Sequence, residues 1–127
     1  MIRRLVVLMA VAATLTCDSG PKVGEVTFDL TTPNQDDGAI QFVVTAVEPA
    51  TLLAVNAACT GCTVYAIPTG ETEIRGVLTG PVVPGAALRV TVSDVGNRSA
   101  YAATVVAVAN RAYAVRSIEG YGLTVGR

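Results

Sequence analysis

The chain has 127 residues and a formal net charge of −1, contains no histidine and no tryptophan, and is 51% hydrophobic. Its length predicts a single domain, and its apolar fraction is too high for a disordered chain. The lack of histidine removes the commonest general base and a principal transition-metal ligand, and the slightly acidic balance does not fit a nucleic-acid-binding surface.

Residues 1–16 have the layout of a secretory signal peptide. Arg3 and Arg4 form a short positive segment, and residues 5–15 form an apolar run broken only by Thr14. A helix of that length rises about 16 Å, whereas the hydrocarbon core of a bilayer is about 30 Å thick. We therefore expect a leader that is removed on export; a buried N-terminal helix is the alternative.

The end of this leader resembles the signal peptides of bacterial lipoproteins, which are cut before a cysteine that then carries lipid. The matching residues are Thr14-Leu15-Thr16-Cys17, with threonines where that family usually has Leu and a small residue. The resemblance implies lipidation of Cys17, a lipid-bearing tether over residues 17–24, and a membrane-anchored location at the cell envelope. Without the lipid, the chain would be secreted.

Short apolar runs separated by turn residues continue from residue 25 to the end. The clearest alternations place Val26, Phe28 and Leu30 between polar neighbours, and two later strands repeat the pattern. Clusters of Pro, Gly and polar residues punctuate the runs, including Gly80-Pro81. The predicted strands cover residues 25–30, 40–45, 52–55, 63–67, 73–79, 88–93, 101–108, 113–118 and 121–125.

Eight or nine short strands at near-regular spacing predict an all-β fold. We expect one antiparallel β-sandwich over residues 25–127, jelly-roll or immunoglobulin-like, with a small barrel as the structural alternative.

The turn cluster over residues 32–38 contains the one candidate ion site. Asn34, Asp36 and Asp37 offer the oxygen ligands that calcium prefers, although the EF-hand pattern is absent. The same residue types are common in turns without any ion, so turn formation is the competing interpretation.

Cys59 and Cys62 have the spacing of thioredoxin-like redox motifs, but such a motif needs a helix N-terminus. The residues that follow are β-rich and end at Pro68. Thr60-Gly61 instead favours a β-turn, whose ends are close enough for a structural disulfide. Lipidation of Cys17 would account for the third cysteine.

Four tyrosines are candidates for ligand binding, because carbohydrate-binding sandwiches often present aromatic platforms. Each lies in a strand-like run, where packing is the competing interpretation. They are Tyr65, Tyr101, Tyr113 and Tyr121.

Residues 38–44 (GAIQFVV) and 85–92 (GAALRVTV) resemble the early and late strands of cohesin-like modules, over roughly residues 23–94. Those modules are jelly-roll sandwiches related to a group of carbohydrate-binding modules, and they bind dockerin domains. The resemblance implies a protein-binding sandwich and assigns no binding residue.

The sequence therefore predicts a non-catalytic binding or scaffolding module of the cell envelope, with an unidentified protein or polysaccharide ligand, no cofactor and no nucleic acid partner. It contains no Gly-x-Ser-x-Gly elbow and no phosphate-binding glycine loop. The alternatives are a small secreted thiol-redox enzyme using Cys59 and Cys62, a secreted hydrolase, and a carbohydrate-binding module.

Overall fold

The computed structural model describes residues 20–126, so the predicted leader and Cys17 lie outside the described residues. Within that range there is no α-helix, only one short 3₁₀ turn before β7, and hence no helix that could cross a membrane. The nine strands are β1 (Gly24–Thr31), β2 (Asp37–Ala46), β3 (Leu52–Ala57), β4 (Thr63–Pro68), β5 (Glu73–Val82), β6 (Gly85–Val92), β7 (Tyr101–Asn110), β8 (Val115–Arg116) and β9 (Gly122–Val125).

The strands form one antiparallel sheet in the order β3-β6-β1-β9-β7-β2-β5-β4, with β8 added beside β7. The sheet folds into two layers, β3-β6-β1-β9 and β4-β5-β2-β7. Strand β9 joins them, because it pairs with β1 over four residues and with β7 through Leu123 and Ala103. Most chain connections cross between the layers, as in jelly-roll and related sandwiches. The all-β antiparallel prediction is confirmed.

Alternation along the strands builds the core. Val26, Phe28 and Leu30 of β1 are buried, as are Ile40 and Phe42 of β2, and the residues between them are partly or fully exposed. The two layers share a single hydrophobic cluster between them. Burial of each Leu, Val or Phe side chain stabilises the folded state by roughly 1.5–3 kcal/mol. The strands of both layers are therefore held with these side chains directed into the space between the layers.

Two predicted boundaries differ from the structure. Strand β5 continues through Gly80-Pro81 to Val82. The neighbouring β4 begins at Thr63, opposite Thr79, so no β4 residue lies beside Pro81 and its missing N–H group interrupts no pairing on that side. The predicted strand over 113–118 shrinks to Val115–Arg116. The preceding Tyr113 has a φ of 64°, which is incompatible with a strand.

The sandwich has two poles. The chain enters β1 at the first pole, where the carbonyl of Lys22 accepts a hydrogen bond from the Val95 amide at 2.8 Å. The far pole carries the turn between β1 and β2, the cysteine turn between β3 and β4, and the segment from the end of β7 to β9.

Candidate functional site

One broad side of the sandwich is built mainly from uncharged side chains. It is the solvent-facing surface of the β4-β5-β2-β7 layer, which we call the outer face. Its residues are those left between the buried core positions of each strand, and they align in cross-strand rows. The rows are Thr63–Thr79–Ala39–Ala109, Tyr65–Val77–Gln41–Ala107 and Ile67–Arg75–Val43–Thr104.

The outer face exposes large apolar side chains that a sandwich surface does not need for folding. Tyr65 is 67% exposed, Ile67 is 71% exposed, and Val115 of the neighbouring β8 is 82% exposed. The only charged residue in the three rows is Arg75, whose Nε lies 3.4 Å from a carboxylate oxygen of Glu73. Contiguous exposed apolar surface of this kind is typical of interaction sites.

The opposite layer has the usual charged exterior. Glu25 and Asp29 of β1 and Arg89 of β6 occupy its outward positions, with Thr27 and Thr91 beside them. The β1–β6 pair therefore carries three outward charges, whereas the three rows of the outer face carry one. The next row of the outer face contains Glu73, and β3 of the opposite layer exposes Leu53. Since the difference has no role in the core, it marks the outer face as the candidate functional surface.

Two adjoining grooves cross the outer face and share Gln41 and Val77 in their walls. The first, of about 620 Å³, is bounded by Tyr65, Ile67 and Arg75. The second, of about 190 Å³, extends across β7 to Val115 of β8. The surface is a shallow relief rather than a deep pocket, which suits a broad macromolecular contact better than an enclosed small molecule.

Gly76 lines the first groove at a position where a side chain would not fit. A Cβ atom at this position would lie 2.6 Å from the Phe42 ring and 2.8 Å from the Tyr65 carbonyl oxygen. The glycine therefore allows the Phe42 ring to press against β5 and keeps β4 close to its neighbour.

A polar network occupies the far pole around Asp37, which is fully buried. Its carboxylate accepts hydrogen bonds from the Thr32 hydroxyl at 2.6 Å, the Tyr121 hydroxyl at 2.6 Å and the Arg116 guanidinium at 3.3 Å. The Tyr121 hydroxyl in turn accepts a hydrogen bond from the Asn34 amide at 2.7 Å. Every polar side-chain atom buried among the described residues has a partner.

The network places the three calcium candidates together with an arginine among them. Arg116 binds Asp36 through both guanidinium nitrogens, at 2.8 Å and 3.2 Å. This hydrogen-bonded pair holds the pKa of Asp36 below its usual 3.8 and raises the pKa of Arg116. The carboxylates of Asp36 and Asp37 are thus directed at a cation of the protein itself, and over residues 20–126 no group of three acidic or sulfur ligands gathers.

The cysteine pair lies in the turn between β3 and β4. Cys59 and Cys62 form a disulfide, and the Cys62 amide donates to the Cys59 carbonyl as in a β-turn. Gly61 has a φ of 76°, the value that the third residue of a type II turn requires and that glycine adopts without strain. The predicted disulfide and its turn are confirmed, and strand β4 follows where a redox motif would need a helix.

The four tyrosines occupy four different environments. Tyr65 belongs to the outer face, while Tyr101 is buried and donates its hydroxyl to the Asp94 carbonyl at 2.8 Å. Tyr121 serves the Asp37 network. Tyr113 is 89% exposed and lines a separate groove of about 460 Å³ with Arg111. Tyr65 and Tyr113 share no groove, so the tyrosines do not form one aromatic strip.

Sequence reasoning missed the outer face itself. The signal was present in the outward positions of β2, which read Ala39, Gln41, Val43 and Thr45, whereas those of β1 are charged or polar. Reading the core periodicity alone discards these positions, although they carry the difference between the two layers.

Comparison with known proteins found no matching family model, no similar curated protein and no similar solved structure.

Proposed function

We propose that this chain is a non-catalytic binding module, held at the cell envelope by lipid on Cys17, which recognises a protein partner through the outer face. The observation that carries the proposal is the contrast between the two layers. Charged residues occupy three outward positions of the β1–β6 pair, whereas the three rows of the outer face present Tyr65, Ile67, Val77 and Val43 with Arg75 as their one charge.

The composition of the outer face favours a protein as the partner. Interface cores are depleted of charge and enriched in aromatic residues, and they gain affinity by removing apolar surface from water. A partner that covers the rows through Tyr65 and Val77 must bring apolar surface of its own, because the face offers Gln41 and the paired Arg75 as its principal polar groups. The resemblance to cohesin-like modules agrees with this choice, since those modules bind protein domains.

The chain entry supports presentation at a membrane. Residues 18–23 span at most about 20 Å when extended, and they lead into β1 at the first pole. The outer face lies along the side of the sandwich, parallel to the strands, so a lipid on Cys17 would leave it open to a partner.

The alternatives have less support. A redox role for Cys59 and Cys62 calls for a helix after the first cysteine to lower its pKa, and β4 occupies that place. A carbohydrate-binding role calls for clustered exposed aromatics, and the tyrosines are dispersed.

Site-specific photo-crosslinking in the native cell tests the binding proposal. A photoreactive amino acid replaces Gln41 on the outer face or, as the matched control, the outward-facing Thr91 of β6. We expect one discrete protein adduct from position 41, suppressed when Val77→Glu is added and when purified module is supplied as competitor. The proposal is wrong if neither position yields a protein adduct or if both yield the same adducts equally.

Mass spectrometry of the processed N-terminus tests the anchoring proposal separately. We expect Cys17 as the first residue, with a diacylglycerol group on its sulfur. An unmodified Cys17, or a chain that retains residues 1–16, would refute the anchor without touching the proposed binding face.

A further inference from the structure

Strand β4 forms one end of the sheet, and the other end strand, β3, approaches it at the cysteine turn and through the hydrogen bond from the Leu52 amide to the Glu71 carbonyl. Thr63–Pro68 pair with β5 along one side, and within residues 20–126 no strand pairs with the other side. Tyr65 and Ile67 stand exposed on this strand. An unprotected edge strand presents unpaired backbone N–H and C=O groups, and these are a template for another strand.

The two end strands of the sheet differ in how they are protected. No charged residue occurs from Pro49 to Gly70, so neither β3 nor β4 carries the edge charges by which proteins usually prevent strand addition. Strand β3 compensates with an irregularity, since its register against β6 shifts between Leu52 and Ala54. Strand β4 pairs in continuous register, with Pro68 only at its end.

We propose that two copies of this chain associate by antiparallel pairing of their β4 strands, about a two-fold axis that passes between the two Tyr65 residues. Residues whose numbers sum to 130 then lie opposite each other. Tyr65 faces Tyr65 of the second copy, and Thr63 faces Ile67 in both directions.

The side chains of β4 suit this pairing with itself. Tyr65 opposite Tyr65 is an aromatic pair, a cross-strand combination that stabilises antiparallel sheets. Thr63 and Ile67, which lie opposite each other, are both β-branched residues of the kind enriched in strands. Residues that lie opposite each other in antiparallel strands point to the same side of the sheet. Thr63, Tyr65 and Ile67 therefore meet outward residues of the second copy, and the two outer faces form one continuous surface. Pro68 falls opposite Cys62 at the margin, where its missing N–H group does not interrupt the central pairs.

The charge pattern also favours a second copy. Identical acidic chains repel wherever their carboxylates meet, but this contact brings together two uncharged strands. The nearest charges on β5, Glu73 and Arg75, are paired with each other at 3.4 Å. The contact shares Tyr65 and Ile67 with the outer face. It is nevertheless tested separately from the proposed heterologous partner, because the experiment uses the purified protein alone.

A charge-swap experiment tests both the contact and its register. Sedimentation equilibrium is measured over a wide concentration range on the processed chain, with free thiols alkylated and with detergent if lipid is attached. The parent protein should show a monomer–dimer equilibrium. Tyr65→Lys and Tyr65→Glu should each raise the dissociation constant by about tenfold or more, because they place like charges directly opposite each other.

Mixing the two variants should restore association, since each lysine then faces a glutamate. Thr124→Lys and Thr124→Glu, at an exposed position of β9 in the opposite layer, are the matched controls and should associate like the parent. A parent protein that stays monomeric overturns the proposal. So do Tyr65 variants that associate as tightly as the parent, or a mixture that stays dissociated although both variants keep the parent's circular dichroism spectrum.

Discussion

Asp37 is the one charged residue that is buried among residues 20–126. A buried carboxylate is stable only when its charge is compensated, and here two hydroxyl groups and a guanidinium provide that compensation. Asp37 thereby ties the start of β2 to β8 and to the residue before β9. The network is a buried structural contact that stabilises the far pole, rather than an open ligand site.

Replacing Asp37 with asparagine should destabilise the protein by about 2–3 kcal/mol, because the amide removes the charge on which these hydrogen bonds depend. Urea unfolding monitored by circular dichroism measures the change. Asp36→Asn is the matched control: it removes the exposed neighbour, which holds Arg116 but not Thr32 or Tyr121, and its effect should be much smaller. Equal losses for the two variants would contradict the central role of Asp37.

The sequence predicted the turn in which the local part of this network lies, but not the network. The turn over residues 32–38 was recognised from its composition, and Asn34, Asp36 and Asp37 do lie together there. Their partners Arg116 and Tyr121 are 79 and 84 residues from Asp37, and no local pattern signals such a contact. Only the pairing of β9 with β1 and of β8 with β7 brings those residues to the far pole.

At the scale of elements, periodicity worked where one side of a strand meets the core. The alternation in β1, β2 and β6 predicted which residues are buried, because a half-buried strand has a period of two. It was less accurate near the C-terminus. There the Asn110 side chain accepts hydrogen bonds from the amides of Ala112 and Ala114, which creates a tight bend in a segment of β-rich composition.

The turn between β3 and β4, the two end strands of the sheet, is closed by the Cys59–Cys62 disulfide. Cys59→Ser together with Cys62→Ser should lower the free energy of unfolding by about 2 kcal/mol, the entropic contribution of closing a ring of this size. Thermal or urea unfolding of the double variant measures the loss.

Thr60→Ala, in the same turn, is the control that leaves the disulfide intact. Its stability should match that of the parent, and the double variant should keep a β-type circular dichroism spectrum. A double variant that is fully unfolded would show that the turn organises the fold rather than adding a local constraint.

Across the whole molecule, the absence of histidine and the two paired carboxylates determine the response to pH. The hydrogen bond from Arg116 lowers the pKa of Asp36 from 3.8, and those from Thr69 and Arg75 lower the pKa of Glu73 from 4.5. Groups whose pKa falls on folding stabilise the protein above the unfolded value and lose that contribution as acid protonates them. Stability should therefore be nearly constant between about pH 5 and pH 8 and fall below about pH 4.

Urea midpoints between about pH 7 and pH 2 test this expectation. The combination of Asp36→Asn with Glu73→Gln should flatten the acid decline. A large change of stability near pH 6.5 would contradict the assignment, because no side chain of the ordinary histidine type exists to titrate there.

At the scale of the whole molecule, β1 and β2 differ in the polarity of their outward-facing residues. Glu25, Thr27 and Asp29 of β1 contrast with Ala39 and Val43 of β2, yet both sets lie between equally buried residues. The class of fold follows from the inward residues, whereas the proposed surface of contact follows from the outward ones. Which strands share a layer, and hence which outward residues adjoin, required the strand order.

The direction of β4 has a geometric consequence for a tethered protein. This strand runs from the far pole towards the pole at which the chain enters, so a partner strand of opposite direction reverses the whole second copy. The two Lys22 segments then leave the assembly at opposite extremities. Such a pair can rest flat along one bilayer, with its strands parallel to the lipid surface, but it can stand upright only by bridging two facing membranes.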